Sequence, residues 1–340
     1  NALALSEDAD GVRHLGEFGV VFLMFVIGLE FNLPKLRSMR RHVFGLGLLQ
    51  VLLTIVLATF GSLFLATLAP TLWGMSWQTA LALSGAIAMS STAVVVKLLS
   101  ERLEMESEHG KRVIGVLLFQ DLAVVPLIII IPALAESNAD ITNTISIALL
   151  KAVVLLTALL TFGQRLLRPW FHLVAEQKSS ELFMLNVLLF TLGMAWVTEL
   201  SGLSLALGAF VAGMLISETE YRYQVEEDIK PFRDVLLGLF FVTIGMMLDL
   251  GAVIEGWGWI LLLLLILIPF KAGVVALLVR GFGGEWGTGL RTGLGLAQAG
   301  EFGFVLLTLA GGAQLLANDV MQNVLAAMLI SMLFAPFLIQ

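Results

Sequence analysis

The residue types best suited to ion chemistry in this 340-residue chain lie inside apolar stretches. Asp121, preceded by Gln120, stands in the middle of the apolar stretch 113–131. On a helix, Asp121 would lie roughly 12 Å from Val113 and roughly 15 Å from Ile131, near the middle of a bilayer. A carboxylate at that depth is costly unless it faces a wet cavity or a cation. The position therefore predicts that Asp121 binds a mobile cation or a proton.

Further polar groups are predicted at a similar depth in other apolar stretches. Hydroxyl and amide oxygens can replace the water around a large alkali cation. A lysine would neutralise Asp121 while the site is empty and so lower the cost of the unoccupied state. Besides Asp121, the candidate cation or proton ligands are Gln120, Ser90, Ser91 and Thr92, the candidate compensating charge is Lys271, and Gln298 and Glu301 are candidates for gating or for a broken helix.

Each of these residues also has a purely structural interpretation. Lys271 and Asp121 would then form a permanent ion pair, and the small residues Ser90–Thr92 would pack helices together. Glu301 would cap a half-helix without touching an ion, and Gln298 would only satisfy interrupted backbone. The residue types alone leave these alternatives open.

Composition places the chain in the membrane. It is 59% hydrophobic and only 13% charged, with a mean hydropathy of +0.97, whereas soluble domains contain about 25% charged residues. The absence of cysteine excludes disulfides, thiolate metal sites and cysteine nucleophiles. No plausible nucleophile–base pair shares one depth, so an enzyme has little support. The four histidines are scattered in or beside loops and predict no metal site; they are His14, His42, His109 and His172.

Hydropathy predicts an all-α polytopic membrane protein with about eleven transmembrane helices. All but three of the 19 lysine and arginine residues fall in alternate connections, which the positive-inside rule places in the cytoplasm. The exceptions are Arg13, Lys151 and Lys271. The predicted spans are 15–32, 43–69, 77–97, 112–135, 144–167, 182–199, 203–217, 235–250, 257–280, 290–312 and 320–339, and the predicted cytoplasmic loops are 33–42, 98–111, 168–181, 218–234 and 281–289.

Two pairs of similar segments predict an inverted repeat. Residues 22–30 resemble 240–249, since each contains aromatic residues, then a glycine, then an acid at the end of the span. Residues 84–92 and 295–303 are both stretches of small and polar residues at mid-membrane depth. Matched interruptions in two opposed halves are typical of the binding site of a secondary transporter. We therefore predict two crossing broken helices in these segments.

Several motifs in the chain resemble those of the Kef-type potassium:proton antiporters, which belong to the second monovalent cation:proton antiporter family. The Gln-Asp pair is the most specific of them, because sodium-exchanging relatives tend to carry Asp-Asp or Asn-Asp there. The resemblance covers essentially the whole chain. The motifs are Leu-Phe-Gln-Asp at 118–121 followed by Pro126, Phe-Val-Ile-Gly-Leu-Glu at 25–30, Gly-Ala-Phe-Val-Ala-Gly at 208–213 and Leu-Gly-Leu-Phe-Phe-Val-Thr-Ile-Gly-Met at 237–246.

The resemblance implies a fold of thirteen helices, of which about eleven lie in this chain. It implies a cation:proton exchange domain over residues 1–340, with a core that carries the crossing helices and a scaffold that dimerises. Asp121 would be the shared proton and potassium ligand, and Lys271 the lysine of the core. The core would comprise spans at about 77–135 and 257–339, and the scaffold those at about 15–69 and 144–250.

The resemblance also implies partners. We expect a homodimer in the bacterial inner membrane, two further helices before Asn1, a cytosolic nucleotide-binding regulatory domain after Gln340 and an ancillary flavoprotein subunit. Nucleotide and glutathione would act on the regulatory domain. No cofactor is expected in this chain itself, and no nucleic acid is an expected partner. Residues 220–231 are similar to the acidic regulatory loop of glutathione-gated members, with Glu226, Glu227 and Asp228 as its acids.

The main functional hypothesis is exchange of one potassium ion for one proton by alternating access around Asp121. One carboxylate shared by both ions makes one-for-one exchange the simplest stoichiometry. A sodium:proton antiporter of the same fold is the first alternative, because cavity size and ligand number set cation selectivity. A ligand-gated potassium channel is the second, although the chain contains no Thr-Val-Gly-Tyr-Gly filter.

Overall fold

A computed structural model describes residues 9–30, 37–68, 75–135, 141–201 and 204–339. The described parts of the eleven predicted spans are helical apart from the end residues 204 and 339 and one interruption in each of the spans 77–97, 235–250 and 290–312, which confirms the all-α prediction. Residues 31–32, 69 and 203, where three predicted spans begin or end, lie outside the described residues, as does the beginning of the predicted loop 33–42.

Six of the described helical segments are long and apolar enough to cross a membrane. One of the six consists of two half-helices in sequence, and three shorter apolar helices add to the set. The chain is therefore a polytopic membrane protein. The six segments are Arg41–Thr67, Trp77–Glu101, Glu108–Ala135, Glu181–Leu200, Trp257–Gly281 and Asn318–Leu338, and the shorter ones are Gly19–Leu29, Leu205–Ser217 and Glu301–Gly312.

The chain divides into two compact units, and the first comprises Asn1–Asn32 with Thr142–Met247. Its first helix packs against its fourth through facing glycines: a Cβ on Gly28 would strike the carbonyl oxygen of Phe210, and a Cβ on Gly213 would strike that of Phe25. Small residues let membrane helices approach to backbone contact in this way. The helices of this unit are α1 (Ala9–Glu30), α6 (Ile141–Ala175), α7 (Ser180–Leu200), α8 (Leu205–Ser217) and α9 (Arg222–Met246).

The second unit comprises Leu33–Ile141 with Leu248–Gln340 and contains both broken helices. A π-helical segment, Arg41–Gly47, leads into its first α-helix. The α-helices are α2 (Leu48–Leu68), α3 (Trp77–Ala88), α4 (Thr92–Glu101), α5 (Glu108–Ala135), α10 (Leu250–Glu255), α11 (Trp257–Gly281), α12 (Trp286–Gly295), α13 (Glu301–Gly312) and α14 (Asn318–Leu338).

Helix α2 belongs to this second unit, whereas the sequence placed residues 43–69 among the scaffold spans. Two buried polar contacts join α2 to other helices of this unit. Gln50 on α2 is fully buried and donates to the carbonyl oxygen of Ala88 at the end of α3. It also accepts a hydrogen bond from Gln120 on α5.

The predicted loop 218–234 is helical over most of its length, because α9 begins at Arg222 and continues to Met246. The cytoplasmic location of this segment stays a prediction. Val225 and Ile229 are both buried, and their i, i+4 spacing gives this charged stretch an apolar stripe along one helix face. Burial of that stripe outweighs the polarity from which the loop was predicted. In the same way, α6 continues to Ala175, inside the predicted loop 168–181.

Candidate functional site

Two helix interruptions meet at the centre of the second unit. Helix α3 ends at Ala88 and α4 begins at Thr92, with Met89 and Ser91 in extended conformation between them. The Ser91 hydroxyl accepts a hydrogen bond from Val94 N, so serine caps the second half-helix. The other interruption separates Gly295, at the end of α12, from Glu301, at the start of α13.

The two interrupted segments touch through their backbones. A Cβ on Gly300 would lie 2.5 Å from the carbonyl oxygen of Ser90 and 2.8 Å from the nitrogen of Ser91. The Ser90 hydroxyl donates to the carbonyl oxygen of Leu296 at 2.8 Å, which joins the two segments directly. Only glycine allows this close approach, and the predicted crossing of two broken helices is thus present in the structure.

Lys271 on α11 lies at this crossing and is fully buried. Its ammonium group donates to Met89 O at 2.8 Å, to Gln298 O at 2.8 Å and to the Ser90 hydroxyl at 3.2 Å. An ammonium has three N–H donors, and these three acceptors match them in number. The lysine therefore stabilises carbonyl groups of both interrupted segments, which have lost their helical partners. Charge compensation of Asp121 by Lys271 stays a prediction.

Replacing Lys271 with methionine is expected to destabilise the protein. The carbonyls of Met89 and Gln298 would lose a charged donor, and an unsatisfied buried polar group costs about 1–3 kcal/mol. Loss of the ammonium also removes its own desolvation cost, so we expect a net loss of about 2 kcal/mol. Thermal unfolding of the purified protein measures this loss. Lys151→Met, at an exposed position, is the control, and equal midpoints for the two variants would contradict the role given to Lys271.

Gln120 and Asp121 point in different directions, as adjacent residues on a helix must. Gln120 is fully buried, and its oxygen accepts a hydrogen bond from Ser90 N at 2.8 Å. Its nitrogen donates to the side-chain oxygen of Gln50 at 2.8 Å and approaches the Ser90 hydroxyl at 3.4 Å. The structure thus gives the Gln120 amide protein partners on both of its polar atoms.

Asp121 lies at the more accessible edge of the crossing. It accepts a hydrogen bond from the Thr92 hydroxyl at 3.2 Å, and both residues are half-buried. Ser90 and Ser91, by contrast, are each only 1% exposed. The structure thus brings the oxygen of Thr92, one of the predicted ligands, directly to the Asp121 carboxylate.

Glu301 is the first residue of α13, yet its carboxylate lies at the start of α4. It is 5% exposed and accepts hydrogen bonds from the Ser91 hydroxyl and from the backbone of Thr92 and Ala93. A carboxylate is stabilised there by the positive end of the helix dipole. Glu301 therefore positions the same half-helix that presents Thr92 to Asp121. Its second oxygen, Oε2, has no hydrogen-bond partner among the described residues.

Gln298 is fully buried, and neither atom of its side-chain amide has a partner among the described residues. The contribution to the crossing that the structure shows comes from its backbone oxygen, through Lys271. The backbone of the same segment is also held by Ser331 on α14, whose hydroxyl accepts from Ala299 N at 3.0 Å.

The three acids of the predicted regulatory loop lie on α9 in the first unit. Glu226 and Glu227 are exposed, whereas Asp228 is half-buried. Burial and the neighbouring Glu227 carboxylate raise the pKa of Asp228 above its ordinary value. No group of three or more histidine or acidic side chains that could hold a metal ion occurs in the described part of the chain.

Comparison with known proteins agrees with this fold. The family model described as "Sodium/hydrogen exchanger, transmembrane" matches residues 2–340. The chain belongs to the sodium/hydrogen exchanger family. The solved structure of the sodium proton antiporter MjNhaP1 from Methanocaldococcus jannaschii has the same fold, with a TM-score of 0.69 at 16% identity. The match covers 96% of this chain and 82% of that one.

Within the exchanger family, the chain is similar to potassium efflux antiporters. It is 43% identical to the putative K(+) efflux antiporter KefB of Alkalimonas amylolytica over 97% of its length. It is 40% identical to the chloroplastic K(+) efflux antiporter 1 of Arabidopsis thaliana over 99% of its length. These matches confirm the resemblance to Kef-type antiporters. The chain spans 49% of the first relative and 28% of the second.

Proposed function

We infer that this member of the exchanger family is a potassium:proton antiporter that works by alternating access around Asp121. The observation that carries the proposal is the half-buried Asp121 carboxylate, bonded to the Thr92 hydroxyl at the crossing of two broken helices. One negative charge at mid-membrane depth binds either a cation or a proton, and the two compete for it. One-for-one exchange follows from that competition.

The relatives' names favour potassium as the cargo, since the matched proteins are named K(+) efflux antiporters. In this proposal Asp121 and Thr92 face the ion. The buried residues Ser90, Ser91 and Gln120 support them from behind. We place the exchange core in the second unit and the scaffold in the first, so α2 is part of the core. The relatives are transporters, and we assign this chain no enzymatic reaction and no resident cofactor.

On the same resemblance we propose a location in the bacterial inner membrane and a homodimeric state. Chloroplastic relatives show that the family also serves other membranes. A cytosolic nucleotide-binding regulatory domain and an ancillary flavoprotein subunit are the proposed partners, with Glu226, Glu227 and Asp228 on the exposed start of α9 as the contact for regulation by nucleotide or glutathione.

The test of this function uses purified protein in vesicles that contain a trapped pH-sensitive dye. We expect an imposed potassium gradient to drive proton movement, and an equal sodium gradient to drive it at least about tenfold more slowly, a difference of about 1.4 kcal/mol between the two ions. Equal or faster movement with sodium would make the protein a sodium:proton antiporter.

A second measurement on the same vesicles distinguishes an antiporter from a channel. Electroneutral exchange continues at an unchanged rate when the membrane potential is clamped to zero. A potassium channel would instead set up a diffusion potential, which a voltage-sensitive dye reports. A potential that follows the potassium gradient without coupled proton movement would overturn the antiporter assignment.

A further inference from the structure

Gln50, which the cation site does not include, forms one hydrogen-bonded unit with Gln120. The Gln50 nitrogen donates to Ala88 O at 3.3 Å and to the Thr54 hydroxyl at 3.1 Å. Its oxygen accepts from the nitrogen of Gln120 at 2.8 Å, and the Gln120 oxygen accepts from Ser90 N at 2.8 Å. Both glutamine side chains are completely buried.

The two ends of this unit bind backbone groups on either side of the interruption between α3 and α4. Ala88 O is the carbonyl of the last residue of α3, and Ser90 N is an amide of the extended segment. A broken helix leaves such groups without helical partners, and in a membrane each unsatisfied group is costly. The paired amides of Gln50 and Gln120 therefore replace hydrogen bonds that the interruption removes.

We propose that Gln50 is a positioning residue for cation exchange. By holding Gln120 against Ser90 N, it fixes the extended segment that leads into α4, and so fixes the Thr92 hydroxyl relative to Asp121. Gln120 acts on the bound cation through this backbone and not as a ligand. The proposal rests on the exchange function proposed above, and it identifies α2 as the element that sets the geometry of the site.

The test compares Gln50→Met, Gln120→Met and the double variant. Methionine has a similar length and no hydrogen-bonding amide. If the two glutamines act as one unit, each single substitution raises the KM for potassium by about tenfold. The KM of the double variant is then about equal to that of either single variant, because the effects of residues in one network are not additive. The preference for potassium over sodium falls in parallel. Ser84→Ala is the matched control, since it removes a buried hydroxyl on α3 that bonds to Ala80 O outside the unit.

A second measurement does not depend on transport. Amide hydrogen exchange of the segment around Ser90 is expected to be faster in Gln50→Met and in Gln120→Met than in Ser84→Ala. The positioning role is overturned if amide hydrogen exchange at this segment is unchanged. It is also overturned if amide hydrogen exchange is faster while the KM for potassium and the ion preference are unchanged, and Gln50 is then a packing residue. If the unaltered protein moves no cation while the segment still loosens, the exchange function has failed and the hydrogen-bonded unit has not.

Discussion

Asp121→Asn is expected to reduce cation-driven proton movement in vesicles to the level of vesicles without protein. Asparagine has nearly the shape of aspartate, and its side-chain oxygen can still accept the Thr92 hydrogen bond. It carries no charge and takes up no proton, so both halves of the exchange cycle lose their binding group. The substitution therefore tests the charge of Asp121 separately from its shape.

A binding measurement accompanies the transport assay. Potassium that binds the folded protein raises its thermal stability, by about 2.7 kcal/mol at a hundred times the dissociation constant. We expect this gain in the unaltered protein and not in Asp121→Asn. Asp319→Asn, an exposed acid in the first turn of α14, is the control and keeps both exchange and stabilisation. Exchange that survives in Asp121→Asn would show that another group carries the ion.

The second large effect is expected from Gly300→Ala. The added methyl group would meet the Ser90 carbonyl oxygen at 2.5 Å and Ser91 N at 2.8 Å, and both contacts are with backbone, which cannot rotate away. The two interrupted segments must then separate, and the hydrogen bond from the Ser90 hydroxyl to Leu296 O is lost. We expect loss of exchange together with a lowered thermal midpoint.

Two other glycines provide controls for this substitution. A Cβ on Gly312 or Gly273 meets no atom within 4 Å, so alanine is accommodated at either position. Both variants are expected to keep the stability and the exchange rate of the unaltered protein. A Gly300→Ala protein with a normal midpoint and normal transport would mean that the two segments do not touch as the structure has them.

The sequence predicted those features of the site that hydropathy alone can report. A lone acid in an apolar stretch stands out against its neighbours, and so does a lysine such as Lys271. The two interruptions were also predictable, because small and polar residues cluster at 84–92 and 295–303 in matched positions. Such clusters lower helix stability locally, and their recurrence in both halves distinguishes them from chance.

The partners of these groups could not be predicted in the same way. Hydropathy gives the depth of a side chain but not the direction in which it points around the helix, so Gln120 and Asp121 looked like two ligands of one ion. Gln50 and Ser331 give no such signal, because a single neutral residue barely changes the mean hydropathy of a long apolar span. Charged Glu226 and Glu227 indicate a loop, because the apolar stripe that flanks them, Val225 and Ile229, is short.

The triple contact of Lys271 limits how the site can change shape during a transport cycle. One ammonium group holds a carbonyl from each interrupted segment, Met89 O and Gln298 O, and the hydroxyl that links them. Sliding one segment past the other would break several buried hydrogen bonds at once. In the proposed exchange cycle, the two interrupted segments are therefore expected to keep their contacts and to move, if at all, together as one rigid block.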